Sequence, residues 1–226
     1  MNSLELRASK AQTDARGVST RLVERLGVHN ISLLAALAIL VVIFGSLRGD
    51  VFFSSRNLLN IGLGITILGV LAMSQTVVIV GGGLDIAVGA TVGLTTVSTA
   101  MAIQATGSPA AGIVAGLVLG GLAGLVNGLI ITYGRVNAVI ATLGTMAIFR
   151  GIAFIMSDGQ SIAIFSDTFR FIGIGRILGL PLLVWILVLT AIAFHLFLAR
   201  SIVGRNIYAL GGNPVVARFS GININR

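Results

Sequence analysis

The sequence predicts an all-α fold, a polytopic transmembrane helical bundle with about six spans, and three observations carry that prediction. The 226-residue chain is 56% hydrophobic and only 10% charged, with a mean hydropathy of +1.04, well outside the range of water-soluble domains. Apolar runs of about 20 residues, the length that crosses a bilayer core, recur along it. Its basic residues sit at the ends of those runs and are not gathered with exposed aromatics on a polar domain, so the +8 formal charge is a topology signal and not a nucleic-acid footprint. With no cysteine, a disulfide framework and a thiolate metal site are both excluded.

Taken in order, Met1 to Asn30 is a polar, basic cytoplasmic tail with an amphipathic segment near Val18–Leu26, too long and mixed in charge for a secretory signal. Ile31–Leu47 is the first span, an uncleaved anchor, and Arg48–Asn57 a short polar connection. Leu58–Val80 is the second span, interrupted by Ser74 and Gln75; after Gly81–Asp85, Ile86–Ala105 is the third. Thr106–Pro109 turns into a glycine-rich fourth span, Ala110–Tyr133, and Gly134–Asn137 leads to a fifth, Val139–Met156. Ser157–Gly179 reads as a longer, more polar connection before the sixth span, Leu180–Leu198. The membrane domain thus covers 31–198, with a 1–30 tail and a cytoplasmic segment at 199–226.

The basic residues set the orientation. An N-in, C-in arrangement puts Arg7, Lys10, Arg16, Arg21, Arg25, Arg135, Arg200, Arg205, Arg218 and Arg226 inside, against Arg48, Arg56, Arg170 and Arg176 outside.

Several residues invite a functional reading. Gly81-Gly82-Gly83-Leu84-Asp85 frees the backbone, and Asp85 can accept from the N–H groups that open the next helix. Two readings fit: a hinge or lining element of a translocation route, or a tight interfacial turn with an N-cap aspartate. Gln75 and Asn127 could bond across helices or face a polar route, and Asn137 looks like a turn residue. Arg150, inside the fifth span, either faces the bundle or snorkels to the outer surface, with Asp158 a partner only if the span ends early. Gly112, Gly116, Gly120 and Gly124 form a small-residue stripe for close helix packing. His29 and His195 lack a partnered ligand pattern, so no metal site is expected.

The last stretch, Arg200–Arg226, is basic, glycine-punctuated and free of acidic residues. Asn213 can cap a helix, Pro214 suits its first position, and Ser220-Gly221 stops it after Val215–Phe219. Such a helix could dock a soluble partner; an ordinary basic loop that holds the chain's orientation is the alternative.

No GxxxxGK[ST] loop is present for ATP, no chain of buried acids for proton coupling, and no nucleophile–base pair for catalysis, so no catalytic residue is expected.

Three blocks then identify a resemblance. GGGLDIAVGATVGL at Gly81–Leu94 resembles the GGxDLSVG signature of the ribose/xylose-type permease subunits of bacterial ABC sugar importers. Val136–Ile162, with ATLG and the Arg150-Gly151 pair, is similar to that family's second block. GRNIYALGGNPVVARFSGINI at Gly204–Ile224 resembles its cytoplasmic block, close to GRxIYAIGGNxxAARLSGI. Ala87 stands where serine is usual and Val216 where alanine is usual; branched-chain amino acid permeases share the fold but lack the Ala-Leu-Gly-Gly-Asn run.

The resemblance implies a permease subunit of the bacterial inner membrane that imports a monosaccharide or related polyol. Its implied partners are ABC ATPase subunits, a second permease copy or paralogue, a periplasmic sugar-binding protein and the lipid bilayer, with no nucleic acid. It implies no cofactor on this chain, since ATP and magnesium would bind the ATPase. It assigns coupling to Gly204, Arg205, Gly211, Gly212, Asn213, Ala217, Arg218, Ser220 and Gly221, and places Gly81, Gly82, Gly83 and Asp85, with Gln75 and Asn127, beside the route. Members usually continue for several spans beyond this block, so the expectation is a truncated or split product that inserts but does not transport alone. The alternatives are a non-transporting fragment that binds the ATPase, and a secondary carrier or channel.

Overall fold

The structure, a computed structural model, describes residues 30–223. The amphipathic segment expected near Val18–Leu26, the rest of the basic tail and Arg226 lie outside the described residues. The chain divides into two units, 1–60 and 61–226.

In the first unit, helix α1 covers Asn30–Phe52. It runs past its predicted end at Leu47, because Arg48 and Asp50 are accommodated on its exposed last turn, with Arg48 Nε 3.9 Å from Asp50 Oδ1. Phe44 stacks on Phe52 at 5.9 Å, and the Asn57 amide donates to the Phe52 carbonyl (2.8 Å), which closes the short link to the next helix.

Helix α2, Ser55–Val80, crosses the unit boundary. Ser74 does not interrupt it, since its hydroxyl donates back to the Leu71 carbonyl at 2.8 Å and so needs no outside partner. The second unit continues with α3 (Val88–Thr106), α4 (Pro109–Thr132) and α5 (Ala138–Met156). At 1.5 Å per residue even a 19-residue helix spans about 28 Å, enough for a bilayer core.

The core lies where these three helices meet: Ala87, Leu94, Ala123 and Phe149 are buried together. Glycine spacing explains the tightest pairing. A Cβ on Gly112 or Gly116 would strike Ile103 and Thr99 of α3, and one on Gly120 would sit 3.3 Å from Thr95 Cγ2, whereas Gly124 faces open space. Three of the four stripe glycines therefore seat α4 on α3, as expected where helix association depends on close packing. Most other apolar side chains, such as Leu117 and Ile155, point outward, as lipid-facing residues do.

The longer, more polar connection predicted after α5 carries structure of its own. It holds α6, Asp167–Ile174, capped by Ser166, and a hairpin of β1 (Arg176–Ile177) and β2 (Leu180–Pro181) with Arg176 opposite Pro181. Leu178 (φ 54°) and Gly179 (φ 81°) form the two-residue turn in the left-handed region that right-twisted hairpins require. The sixth span accordingly starts at Leu182 as α7, Leu182–Arg200. Trp185 ties the two together, its indole N–H donating to the Ile177 carbonyl at 3.1 Å.

Two short helices follow: α8, Ile202–Gly212, and α9, Pro214–Phe219. Only α9 was foreseen. Ser201 caps α8 by accepting from Gly204 N at 2.8 Å, and Gly204 lies so close to the Phe197 and Leu198 carbonyls that a side chain there would collide with backbone.

Candidate functional site: the glycine turn and the helix seated on it

The end of α2 is built by its glycines. Gly82 N donates to the Ile79 carbonyl and Gly83 N to the Val78 carbonyl, each at 2.9 Å, with Gly82 at φ 84°. These are the paired bonds of a Schellman cap, which needs a left-handed residue at the position Gly82 fills. Asp85 then forms a turn of its own: its Oδ1 accepts from Ala87 N at 2.8 Å. The expectation that Asp85 caps the third helix directly is corrected, because Ala87 occupies the cap position and the carboxylate acts one step earlier, in an Asx turn.

Two further bonds tie this turn to its neighbours. The Gln75 amide donates to the Asp85 carbonyl at 2.7 Å, and Ile86 N donates to Thr142 Oγ1 of α5 at 3.2 Å. Thr142 is 1% exposed and its own hydroxyl donates to Ala138 O at 2.8 Å. The six residues Gly81–Ile86 thus hold α2, α3 and α5 in a common arrangement. Thr142 was not singled out in the sequence, although it sits in the ATLG block.

The same turn receives α8. An ideal Cβ on Gly211 would overlap the Val80 carbonyl, and one on Gly82 would lie 3.6 Å from Gly211 Cα. Ile207 Cγ2 approaches Gly81 at 3.5 Å by the same measure. Backbone therefore rests on backbone, with no side chain between. Gly81 and Gly82, expected beside a route, and Gly211, expected in docking, form one contact.

Helix α9 extends from there. Asn213 Oδ1 accepts from Val215 N (3.0 Å) and Val216 N (3.1 Å). Gly221 N donates to Arg218 O and Ile222 N to Ala217 O, each at 3.1 Å, a second Schellman cap with Gly221 at φ 80°. Ala217 is buried at 2% while Val215, Val216 and Phe219 are exposed, Phe219 at 89%. Arg205, Arg218, Gly212 and Ser220 are also exposed.

Other candidates stand apart. Asn127 is buried in α4 and its Oδ1 has no hydrogen-bond partner; the Gln75 Oε1 is likewise buried and unpaired. Asn127 makes no hydrogen bond to the glycine turn among the described residues. Arg150 is exposed on α5, which continues to Met156, and has no ion pair with Asp158. Asn137 caps α5, accepting from Val139 N at 2.9 Å. No group of three His, Asp or Glu side chains that could hold a metal ion occurs among the described residues.

Six apolar helices of spanning length among the described residues, with capped irregular backbone confined to their ends, define a multi-pass α-helical membrane protein. Residues 57–226 match the family described as the branched-chain amino acid transport system / permease component, and the chain belongs to that family. The chain is 36% identical over 197 residues to the ribose import permease protein RbsC of Escherichia coli K12, covering 85% of this chain and 61% of that protein. It is 32% identical over 221 residues to the L-arabinose ABC transporter permease protein AraH of Azospirillum brasilense (97% and 63%). With the D-allose transport system permease protein AlsC of Escherichia coli K12 it shares 35% identity over 189 residues (83% and 58%). All three relatives are named as transport permease proteins. The chain spans about three fifths of the length of the curated relatives it matches. No solved structure matches it.

Proposed function

We propose that this chain is the membrane-spanning part of an ATP-driven importer for a monosaccharide or related polyol in the bacterial inner membrane. The observation that carries the reading is the seat of Gly211 on the Val80–Gly82 backbone, which joins the exposed helix α9 to the turn between α2 and α3. The sugar names of the relatives support the substrate class.

In this reading α9 docks on a separate ATPase subunit through Val215, Val216 and Phe219, flanked by Arg218, and ATP and magnesium bind that subunit. Closure of the ATPases pushes α9 and α8. Because Gly211 meets backbone directly, the displacement passes to the glycine turn with little side-chain give. Gln75 and Thr142 then carry it to α2, α3 and α5, whose tilting alternates access. A second permease copy or paralogue completes the route, and a periplasmic binding protein delivers the sugar.

The test is co-expression with the ATPase and binding protein of a sugar importer from the same genome, with the chain carried in a permease of its relatives' full length. Affinity capture of the ATPase, abolished by Val215→Glu with Phe219→Glu, is expected, together with sugar uptake that stops when the ATPase is made catalytically dead. Uptake that persists with the dead ATPase would sink the proposal in favour of a secondary carrier or channel.

A further inference from the structure

Helix α3 carries an unusual row of hydroxyls. Within an apolar helix, Ser and Thr normally donate back to a carbonyl three or four residues earlier, which hides their polarity. Thr91, Thr95, Ser98 and Thr106 do so, to Ala87, Val92, Thr95 and Ala102 respectively. Among the described residues, Thr96 and Thr99 make neither such a bond nor any other side-chain hydrogen bond.

Both line a cleft of about 720 Å³ between α2, α3 and α4, whose lining also includes Ile164 and Phe169 of the α5–α7 connection. Thr95 and Ser74 line it as well, each with its hydroxyl bonded to its own helix, and Gly116 and Gly120 belong to the α4 wall. Gly116 leaves the space that Thr99 Oγ1 occupies, since a Cβ there would collide with it. The volume falls in the range of about 300–1,000 Å³ usual for small-molecule sites. An apolar wall with a few hydroxyls and one aromatic face suits a molecule with both C–H faces and hydroxyls. No charged side chain lines the cleft, which disfavours an amino acid or a phosphate ester.

Resting on the permease reading above, we infer that this cleft receives the sugar, with Thr96 and Thr99 as its hydrogen-bonding residues and Phe169 as the surface against which a sugar face packs. That connection and the glycine turn lie at opposite ends of α3: Gln104, near its last turn, donates to the Ala163 carbonyl of the connection at 3.0 Å, whereas the glycine turn leads into its first. The driven turn thus leads into the helix whose middle, at Thr96 and Thr99, lines the cleft.

The natural absence of cysteine allows a direct test in the assembled importer in membrane vesicles. Thr99→Cys is expected to react with a charged, water-soluble methanethiosulfonate at least about tenfold faster than the outward-facing control Leu125→Cys, because thiolate forms readily only in contact with water. D-ribose, L-arabinose or D-allose should slow that reaction. Thr96→Val with Thr99→Val should lower radiolabelled uptake of the protecting sugar about tenfold, as loss of hydrogen bonds to a bound substrate does, while Thr99→Ser retains it.

Equal reactivity of the two thiols, the result if lipid or another helix fills the cleft, would overturn the inference. So would reaction that none of the three sugars slows, or uptake unchanged in the double variant. ATPase capture by the same variants shows that they assemble. Failure of the unmodified chain to capture the ATPase counts against the permease reading, while thiol accessibility and sugar protection still decide the cleft.

Discussion

Gly211 and Gly212 are neighbours with opposite surroundings. A Cβ at Gly211 meets the Val80 carbonyl, which cannot move without disturbing the end of α2, whereas a Cβ at Gly212 meets nothing within 4 Å. Gly211→Ala is therefore expected to destabilise the protein by about 1–3 kcal/mol, the usual range for overpacking, and to weaken ATPase capture. Gly212→Ala should change stability by less than about 0.5 kcal/mol. Thermal unfolding in detergent, followed by fluorescence of the one tryptophan, Trp185, separates the two. Equal effects would mean that α8 is not seated by backbone contact. Nothing in the local sequence distinguishes these glycines, because the difference lies in what a distant segment places against each.

At the scale of elements, short structures are governed by their caps. Asn213 supplies both side-chain bonds that open α9, so Asn213→Ala should cost about 0.5–2 kcal/mol of local helix stability. Because α9 has only 6 residues, that loss should appear as faster amide exchange at Val215 and Val216 than in the wild type; unchanged exchange would show that packing of Ala217 alone holds the helix. The hairpin before α7 carries the reverse case. Leu178 occupies a left-handed position at 86% exposure, so it pays backbone strain with little packing in return. Leu178→Asn should stabilise the hairpin by about 1 kcal/mol, read from Trp185, whose indole bonds to Ile177. A lower melting point would contradict that account. Helix α9 was legible because cap, proline and stop glycine lie within ten residues; α8 was not, since its glycines are poor helix formers that tertiary contact compensates.

At the scale of the whole molecule, the distribution of arginine and lysine predicts both chain ends on the cytoplasmic side. A fluorescent protein fused after Arg226 should fold and glow, and alkaline phosphatase fused at Gly107 or at Ser157 should be active, since that enzyme matures only outside the cytoplasm. An inactive fusion at both outer sites with a dark C-terminal fusion would invert the orientation.

What the sequence determined by itself was what depends on local chemistry: the number and approximate limits of the spans, the glycine stripe that makes α4 a packing surface, and the capped helix near the end. Hydropathy over a bilayer's length and capping over one turn are short-range, so both can be read along the chain. The tertiary structure alone decided which of these features act together. Gly211 against Val80, Ile86 against Thr142, and Thr96, Thr99 and Phe169 around one cleft all join residues far apart in sequence. Their meeting is set by how helices pack in three dimensions, where a missing side chain matters only for the backbone that occupies its place.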